Sequence, residues 1–428
     1  MGSKFQIKKN VISAVISFSV NIILVFVSYR LVIRQGGVDD LGLWSTMMAW
    51  VYMIRLGDVG MASAISRFVS MHNIDRDAEK IRKYIDTGFL FNVALFLFLS
   101  VSGYALMSEN LVIVVPPAAI AKAVDVLPLM MVGFFLTNIS GLMLGALQGL
   151  HWGFVSARLS TVGSCLQLVA VVVLVPRLGL PGLAWGVIVQ HAAMTVVGWA
   201  LVRFKLASGP LLPVCWSRAV HKEMFGYSVK IQFVNLTNGL FEPLSKILIS
   251  RFSSLEVQGL YELAYKTVAL PRNAVMSGAQ ATLPAMTGLL HTDKAAAKDL
   301  YKKMLRLVLR ASAGVLVAVA CASPLISVVW MGSLSYMYWS FVALLACGFF
   351  VNSLGAPAYN LGLASGIVKN NFRSAALTLF VMGLLGLSLG FFCGALGVAV
   401  ASGCSLAAGG LYIKFSHESE IFERLSRG

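Results

Sequence analysis

Twelve long apolar stretches run through the chain, and those of its second half repeat those of its first at an offset of 214–217 in 428 residues. No single motif constrains the fold as much. A run of roughly 20 apolar residues crosses a bilayer as a helix, because each backbone N–H and C=O must find its partner within the segment. Duplicated bundles of such helices around a central site are a transporter architecture.

The repeat is carried by residues as well as by hydropathy. Gly42-Leu43-Trp44 matches Gly259-Leu260-Tyr261, and at the same offset of 217 Arg55 meets Arg272. Asn138 and Gly141 match Asn352 and Gly355, and Arg158 matches Arg373. Near the end of each half, Gly179-Leu180-Pro181-Gly182 resembles Gly394-Ala395-Leu396-Gly397. The small residues are weak singly. The paired arginines and asparagines weigh more, because such groups are costly in lipid.

The apolar residues AVILMFWYC make up 58% of the chain and charged residues 12%, against about 25% charged in a soluble domain. The spans fall near 10–33, 40–66, 84–107, 125–149, 154–176, 180–203, 225–250, 257–287, 305–327, 335–364, 371–391 and 394–415. The first is too long for the core of a cleaved signal peptide and reads as an uncleaved span. Spans 257–287 and 335–364 exceed a straight crossing, which predicts tilt, a kink at Pro271, or helix beyond the membrane. The expected fold class is all-α: a polytopic membrane protein with twelve transmembrane helices in two pseudo-symmetric six-helix bundles. The first bundle covers 1–203, a linker 204–224, and the second bundle 225–428.

The net charge of +16 is distributed as topology. Basic residues gather before the first span (Lys4, Lys8, Lys9) and between spans two and three (Arg76, Lys80, Arg82, Lys83). They gather again around the linker (Arg203, Lys205, Arg218, Lys222) and from Lys294 to Arg310. Every second loop is basic, which places both termini on the cytoplasmic side. The excess reads as topology and attraction to anionic membrane lipids, with no nucleic-acid partner. The six cysteines form no CxxC and no zinc spacing, so they read as small packing residues with no metal site. No GxxxxGK[ST] occurs, and no histidine cluster or long loop offers catalysis. The expectation is a non-enzyme without cofactors.

Charges within spans are the strongest functional signal. Span two carries Arg55 and Asp58 at i,i+3. Span seven carries Lys230, and the series Gln232, Asn235, Asn238, Glu242 and Lys246 steps by three or four into one polar stripe. Span eight carries Glu262 and Lys266 at i,i+4, then Arg272 beside Pro271. A charge at a helix centre costs about 2.5–3.5 kcal/mol on insertion scales. These groups therefore face one another or water, and an aqueous cavity between the halves is expected. Substrate contacts are then expected from Arg55, Asp58, Lys230, Asn235, Asn238, Glu242, Lys246, Glu262, Lys266 and Arg272. Arg55 and Arg272 suit a diphosphate, because guanidinium forks bind phosphate bidentately. The alternative is that Arg55–Asp58, Glu242–Lys246 and Glu262–Lys266 are neutralised pairs holding helices together. Arg272 has no acid one turn away.

Leu41-Gly42-Leu43-Trp44-Ser45, Arg55-Leu56-Gly57-Asp58-Val59-Gly60-Met61, Glu242-Pro243-Leu244-Ser245-Lys246 and Asn360-Leu361-Gly362-Leu363-Ala364-Ser365-Gly366 resemble, in their order, the Wzx-type O-antigen flippases. These are polysaccharide transporters of the MOP exporter superfamily. The resemblance spans essentially the whole chain and implies a MATE-like fold. It implies transport of undecaprenyl-diphosphate-linked glycan across the bacterial inner membrane by alternating access, driven by an ion gradient. Polysaccharide polymerase and chain-length proteins are the implied partners. Asp58, Glu242 and Glu262 become candidates for ion coupling, with Glu242 standing where the family usually has aspartate. Lipid II flippases are related but typically have fourteen spans. The rivals are a multidrug cation antiporter of the same superfamily, a membrane glycan polymerase or acyltransferase, and a structural scaffold.

Overall fold

The computed structural model describes residues 2–72, 74–206, 212–213, 215–280, 282–365, 367 and 369–426. It is built from helices: α1 (Gly2–Ile54), α2 (Met61–Ser70), α3 (Ile74–Glu109), α4 (Leu111–Val114), α5 (Ile120–Gly149), α6 (Gly153–Leu178), α7 (Leu180–Leu206), α8 (Arg218–Gly239), α9 (Phe241–Phe252), α10 (Leu255–Gln280), α11 (Leu283–Thr292), α12 (Lys294–Met331), α13 (Tyr336–Ser353), α14 (Ala356–Ala364) and α15 (Lys369–Ser426). No strand occurs among the described residues.

Among the described residues, eight stretches are long and apolar enough to cross a membrane, from Ser19–Gly57 to Lys369–Ser416. Two of them hold two crossings each, because α1 turns at Gly37 and α15 at Gly394. The expected spans 225–250 and 257–287 fall on α8–α9 and α10–α11, which do not reach that measure because they carry the charges of spans seven and eight. The all-α polytopic class follows.

The long spans are broken helices. Span two stops at a 3-10 turn, Arg55–Gly57, and restarts as α2 after Gly60. Span seven breaks after Gly239, so the polar stripe expected on one helix is divided. Gln232 sits on α8, whereas Glu242 and Lys246 sit on α9. Span eight stays helical through Pro271 to Gln280 and restarts at Leu283, so its break lies ten residues beyond the proline. Span ten breaks at Leu354–Gly355, and Pro357 lies in the first turn of α14, where a missing N–H leaves no bond unmade.

The repeat is visible in the backbone. Gly179 and Gly394 both have left-handed φ, at 65° and 60°, with ψ of −136° and −144°. A side chain would strain either turn. Three residues on, a Cβ at Gly182 would stand 2.6 Å from the Leu174 carbonyl, and one at Gly397 would stand 2.0 Å from the Leu389 carbonyl. The same tight helical hairpin is therefore built twice.

Packing divides the chain into two compact units. One is Met1–Gly37 with Trp50–Asn235; the other is Val38–Ala49 with Leu236–Gly428. In the first, Met61, Ile65, Ile85, Leu142, Met143 and Met194 form a buried core between α2, α3, α5 and α7. In the second, Met276, Met286, Tyr301, Met304, Leu361 and Ile413 pack α10, α11, α12, α14 and α15. The cysteines are not packing residues of these cores. Cys165, Cys321, Cys347, Cys393 and Cys404 are exposed on apolar helices, where a small apolar side chain meets lipid.

Candidate functional site

The second unit gathers four of the mid-span charges into one network. Glu242 lies in the first turn of α9, where the helix dipole favours an acid and Pro243 is tolerated. Lys246 follows one turn later. α10 starts after Ser254, whose hydroxyl accepts the Val257 N–H as a cap. It then presents Glu262 and Lys266 one turn apart. Lys246 Nζ stands 2.6 Å from Glu242 Oε1 and 2.6 Å from Glu262 Oε2. Lys266 Nζ stands 2.8 Å from Glu242 Oε1 and 4.0 Å from Glu262 Oε1. The pairs within each helix and the pairs between helices thus close into a single quartet of zero net charge.

The quartet is graded in exposure. Lys246 and Glu262 side chains are 6% and 2% exposed, whereas Lys266 and Glu242 are 24% and 29% exposed. The inner pair is deeply desolvated and the outer pair reaches open space. Two residues absent from the expected site complete it. Ser45, on the segment of α1 that packs with this unit, donates to Glu262 Oε2 at 2.6 Å, and Gln258 donates to Ser45 Oγ at 3.1 Å. Ser45 reaches this position because Gly42 and Gly259 let the helices touch. A Cβ at Gly42 would stand 1.8 Å from the Leu255 carbonyl, and one at Gly259 would stand 2.3 Å from the Val38 carbonyl. The signal for Ser45 was present in the repeat, since it aligns with Glu262 at the offset of 217.

Arg272 stands apart from the quartet. Its Nη2 donates to Asn352 Oδ1 at 2.7 Å, and Asn352 Nδ2 donates to the Leu406 carbonyl at 3.0 Å. Its guanidinium carbon lies 5.3 Å from the centre of the Phe349 ring, and its Nε is buried without a hydrogen bond. No carboxylate pairs with it among the described residues. Its Nη1 also donates to Asn273 Oδ1 at 3.3 Å, so the arginine is held by two neutral amides and a ring, and its charge is uncompensated among the described residues. Asn352 was visible in the sequence as the repeat partner of Asn138.

Arg55 and Asp58 belong to the first unit. Arg55 Nε lies 3.8 Å from Asp58 Oδ2, and Asp58 Oδ1 accepts the Gly60 N–H at 2.8 Å. The pair sits at the 3-10 turn that follows α1, and Asp58 ties down the non-helical link before α2. The side chains of Lys230, Asn235 and Asn238 lie outside the described residues.

The first unit also holds an ion pair that sequence reasoning missed. Arg203 Nη2 donates to Asp86 Oδ1 at 2.5 Å, with Asp86 fully buried, and the guanidinium stacks 4.2 Å over Trp199. The signal was one acid in an otherwise apolar span, with its partner read as a loop cation. His191 accepts or donates one hydrogen bond, with Ser140 Oγ at 2.8 Å. Among the described residues no cluster of three or more His, Cys, Asp or Glu is placed to hold a metal.

The profile of the family described as "Polysaccharide biosynthesis protein" matches residues 37–334. No curated protein matches the chain. Among solved structures, a multidrug resistance MATE family transporter of the MOP superfamily in an inward-facing conformation is similar with a TM-score of 0.77. The two are 12% identical, over 96% of this chain and 98% of that one. The lipid II flippase MurJ, inward closed, is similar with a TM-score of 0.76 at 13% identity, over 95% of this chain and 87% of that one. A MOP superfamily transporter from Pyrococcus furiosus has a TM-score of 0.68 at 14% identity, over 96% of this chain and 94% of that one. The fold is that of the MOP superfamily transporters.

Proposed function

The chain belongs to the polysaccharide biosynthesis protein family, and from that premise we propose that it flips undecaprenyl-diphosphate-linked oligosaccharide repeat units across the bacterial inner membrane. Transport proceeds by alternating access, and both termini lie in the cytoplasm. The observation that carries this reading is Arg272. An uncompensated guanidinium, oriented by Asn352, suits a diphosphate, because the planar fork pairs with phosphate oxygens at two points. Arg55, whose side chain is 45% exposed and whose contact with Asp58 is long, is assigned the matching role in the first half. Lys230, Asn235 and Asn238 are assigned to glycan or diphosphate contact on their spacing alone.

The quartet supports a division of labour. Lys246 and Glu262 hold α9 to α10. Glu242 and Lys266, nearer open space, are the pair whose protonation or release couples an ion gradient to transport, with Asp58 as the candidate in the first half. The neighbour named as a lipid II flippase supports a lipid-linked substrate. Polysaccharide polymerase and chain-length proteins are the partners this role requires downstream. A cation antiporter is the weaker reading, since the quartet carries no net charge and Arg272 adds a positive one.

The test is complementation of a strain deleted for this gene. Arg272→Ala is expected to abolish surface glycan while the protein inserts at normal level, and Arg272→Lys to restore part of it. Normal glycan display with both Arg55→Ala and Arg272→Ala in place would sink the diphosphate reading. Robust efflux of a cationic dye from vesicles would favour the antiporter.

A further inference from the structure

α6 and α7 form a hairpin turned by Gly179, and along it runs a lipid-facing cleft of about 220 Å³. Val155, Leu159 and Val162 line it from α6, and Ala193, Met194 and Val197 from α7. Val162 and Val197 are 57% and 45% exposed, so the cleft opens outward rather than into a core. Its floor exists because Gly163 has no side chain. A Cβ there would stand 2.7 Å from Met194 Sδ.

The cleft is apolar along its length and cationic at one end. Arg158 lines it and is exposed, with its guanidinium carbon 4.0 Å over the Phe154 ring. One turn beyond the cleft residue Leu201, Lys205 places its ammonium 4.9 Å over the Trp152 ring. Neither cation has an ion-pair partner among the described residues, in contrast to the surface pairs Lys83–Glu79 and Lys303–Asp299. The rings hold the cations by their faces, and among the described residues no hydrogen bond takes up their N–H groups. Aromatic residues beside cations at the end of an apolar span mark the headgroup level.

We propose that this hairpin binds one anionic phospholipid of the bilayer, with an acyl chain in the cleft and its headgroup phosphate on Arg158 and Lys205. A long apolar slot capped by two unpaired donors is complementary to a molecule with that division. The site lies wholly within the first unit and uses none of the residues assigned to glycan transport. The lipid's role is to fasten the α6–α7 hairpin to one leaflet while transport proceeds.

Native mass spectrometry of the detergent-purified full-length protein tests it, using phosphatidylglycerol and phosphatidylcholine with identical chains. Wild type is expected to retain phosphatidylglycerol preferentially. Arg158→Gln is expected to lower that occupancy about tenfold, the scale of a lost charge-assisted hydrogen bond. Ala193→Phe and Val197→Phe, which fill the slot, are expected to lower it similarly, with thermal unfolding used to confirm that each is folded. Arg310→Gln, which removes an exposed cation elsewhere, is expected to leave occupancy unchanged. The proposal is overturned by equal retention of phosphatidylcholine, or by an equal loss in Arg310→Gln, which would mean a diffuse field. It is equally overturned by full occupancy in both folded slot-filling variants. Displacement of phosphatidylglycerol by undecaprenyl diphosphate at equal concentration would assign the slot to the substrate instead.

Discussion

Ser45 Oγ donates a 2.6 Å hydrogen bond to Glu262 Oε2, and their separation of 217 positions is an offset of the repeat. Equivalent positions of the two halves therefore touch, one as serine and the other as glutamate. Ser45→Ala is expected to destabilise the fold by about 1.5–3 kcal/mol, the worth of a hydrogen bond to a charged group. Glu262→Gln leaves Lys246 with half its compensation and is expected to cost about 3–5 kcal/mol, as when one partner of a buried pair is removed. Thermal unfolding in detergent measures both. A smaller loss for Glu262→Gln than for Ser45→Ala would contradict the buried-pair account.

Asn352 orients Arg272 without neutralising it. Asn352→Asp keeps the shape but sets a carboxylate 2.7 Å from Nη2. It is expected to abolish glycan display at normal protein level, whereas Asn352→Ala only weakens it. Surface glycan on gels, normalised to membrane protein, reads the difference. Equal activity of the two variants would remove the need for an uncompensated cation.

Asp86 and Arg203 are buried together with no role assigned in transport. Asp86→Asn is expected to destabilise by about 3–5 kcal/mol, because Arg203 stays buried without its counter-charge. Replacing both by apolar residues, Asp86→Leu with Arg203→Met, is expected to recover most of that loss. Unfolding midpoints of the single and double variants decide it.

His221 precedes the expected span 225–250 by four residues and lies among Trp216, Phe91 and Phe225, with ring centroids 5.2, 4.6 and 5.6 Å away. Burial lowers its pKa from the ordinary 6.5. The folded protein thus takes up this proton less readily than the unfolded chain. Its contribution is full above pH 6.5 and is lost as pH falls from there toward the folded value. His221→Phe is expected to flatten the stability profile below pH 6.5, and an unchanged slope would exclude His221 as its source.

Gly383 and Gly397 lie on the two arms of the hairpin turned at Gly394 and have opposite surroundings. A Cβ at Gly397 would stand 2.0 Å from the Leu389 carbonyl, whereas one at Gly383 meets nothing within 4 Å. Gly397→Ala is expected to reduce the folded yield strongly and Gly383→Ala to be neutral or better. Size-exclusion profiles of the expressed variants check this.

The chain order of apolar spans, the repeat and the concentration of charge in spans seven and eight could all be read without coordinates. Each is written into local composition: lipid demands apolar runs, and a charge in such a run is conspicuous. Pairings were only partly readable. Glu242–Lys246 and Glu262–Lys266 followed from i,i+4 spacing, because one helix turn sets that neighbourhood. Lys246–Glu262 and Lys266–Glu242 depend on how α9 lies against α10, and spacing carries no information about that.

Helix breaks were the least readable. Tilt, a kink at Pro271 and helix beyond the membrane were all compatible with the length of span eight, and none of them located the end of α10 at Gln280. Asp86 carries no local sign of its partner, which is 117 residues away. Hydropathy and spacing act within one turn or one span, so they settled the helical class and marked where charge is concentrated. Which charges are neutralised, and that Arg272 is not, depends on contacts between distant segments. Only the packed helices bring those segments within the few ångströms over which ion pairs and hydrogen bonds act.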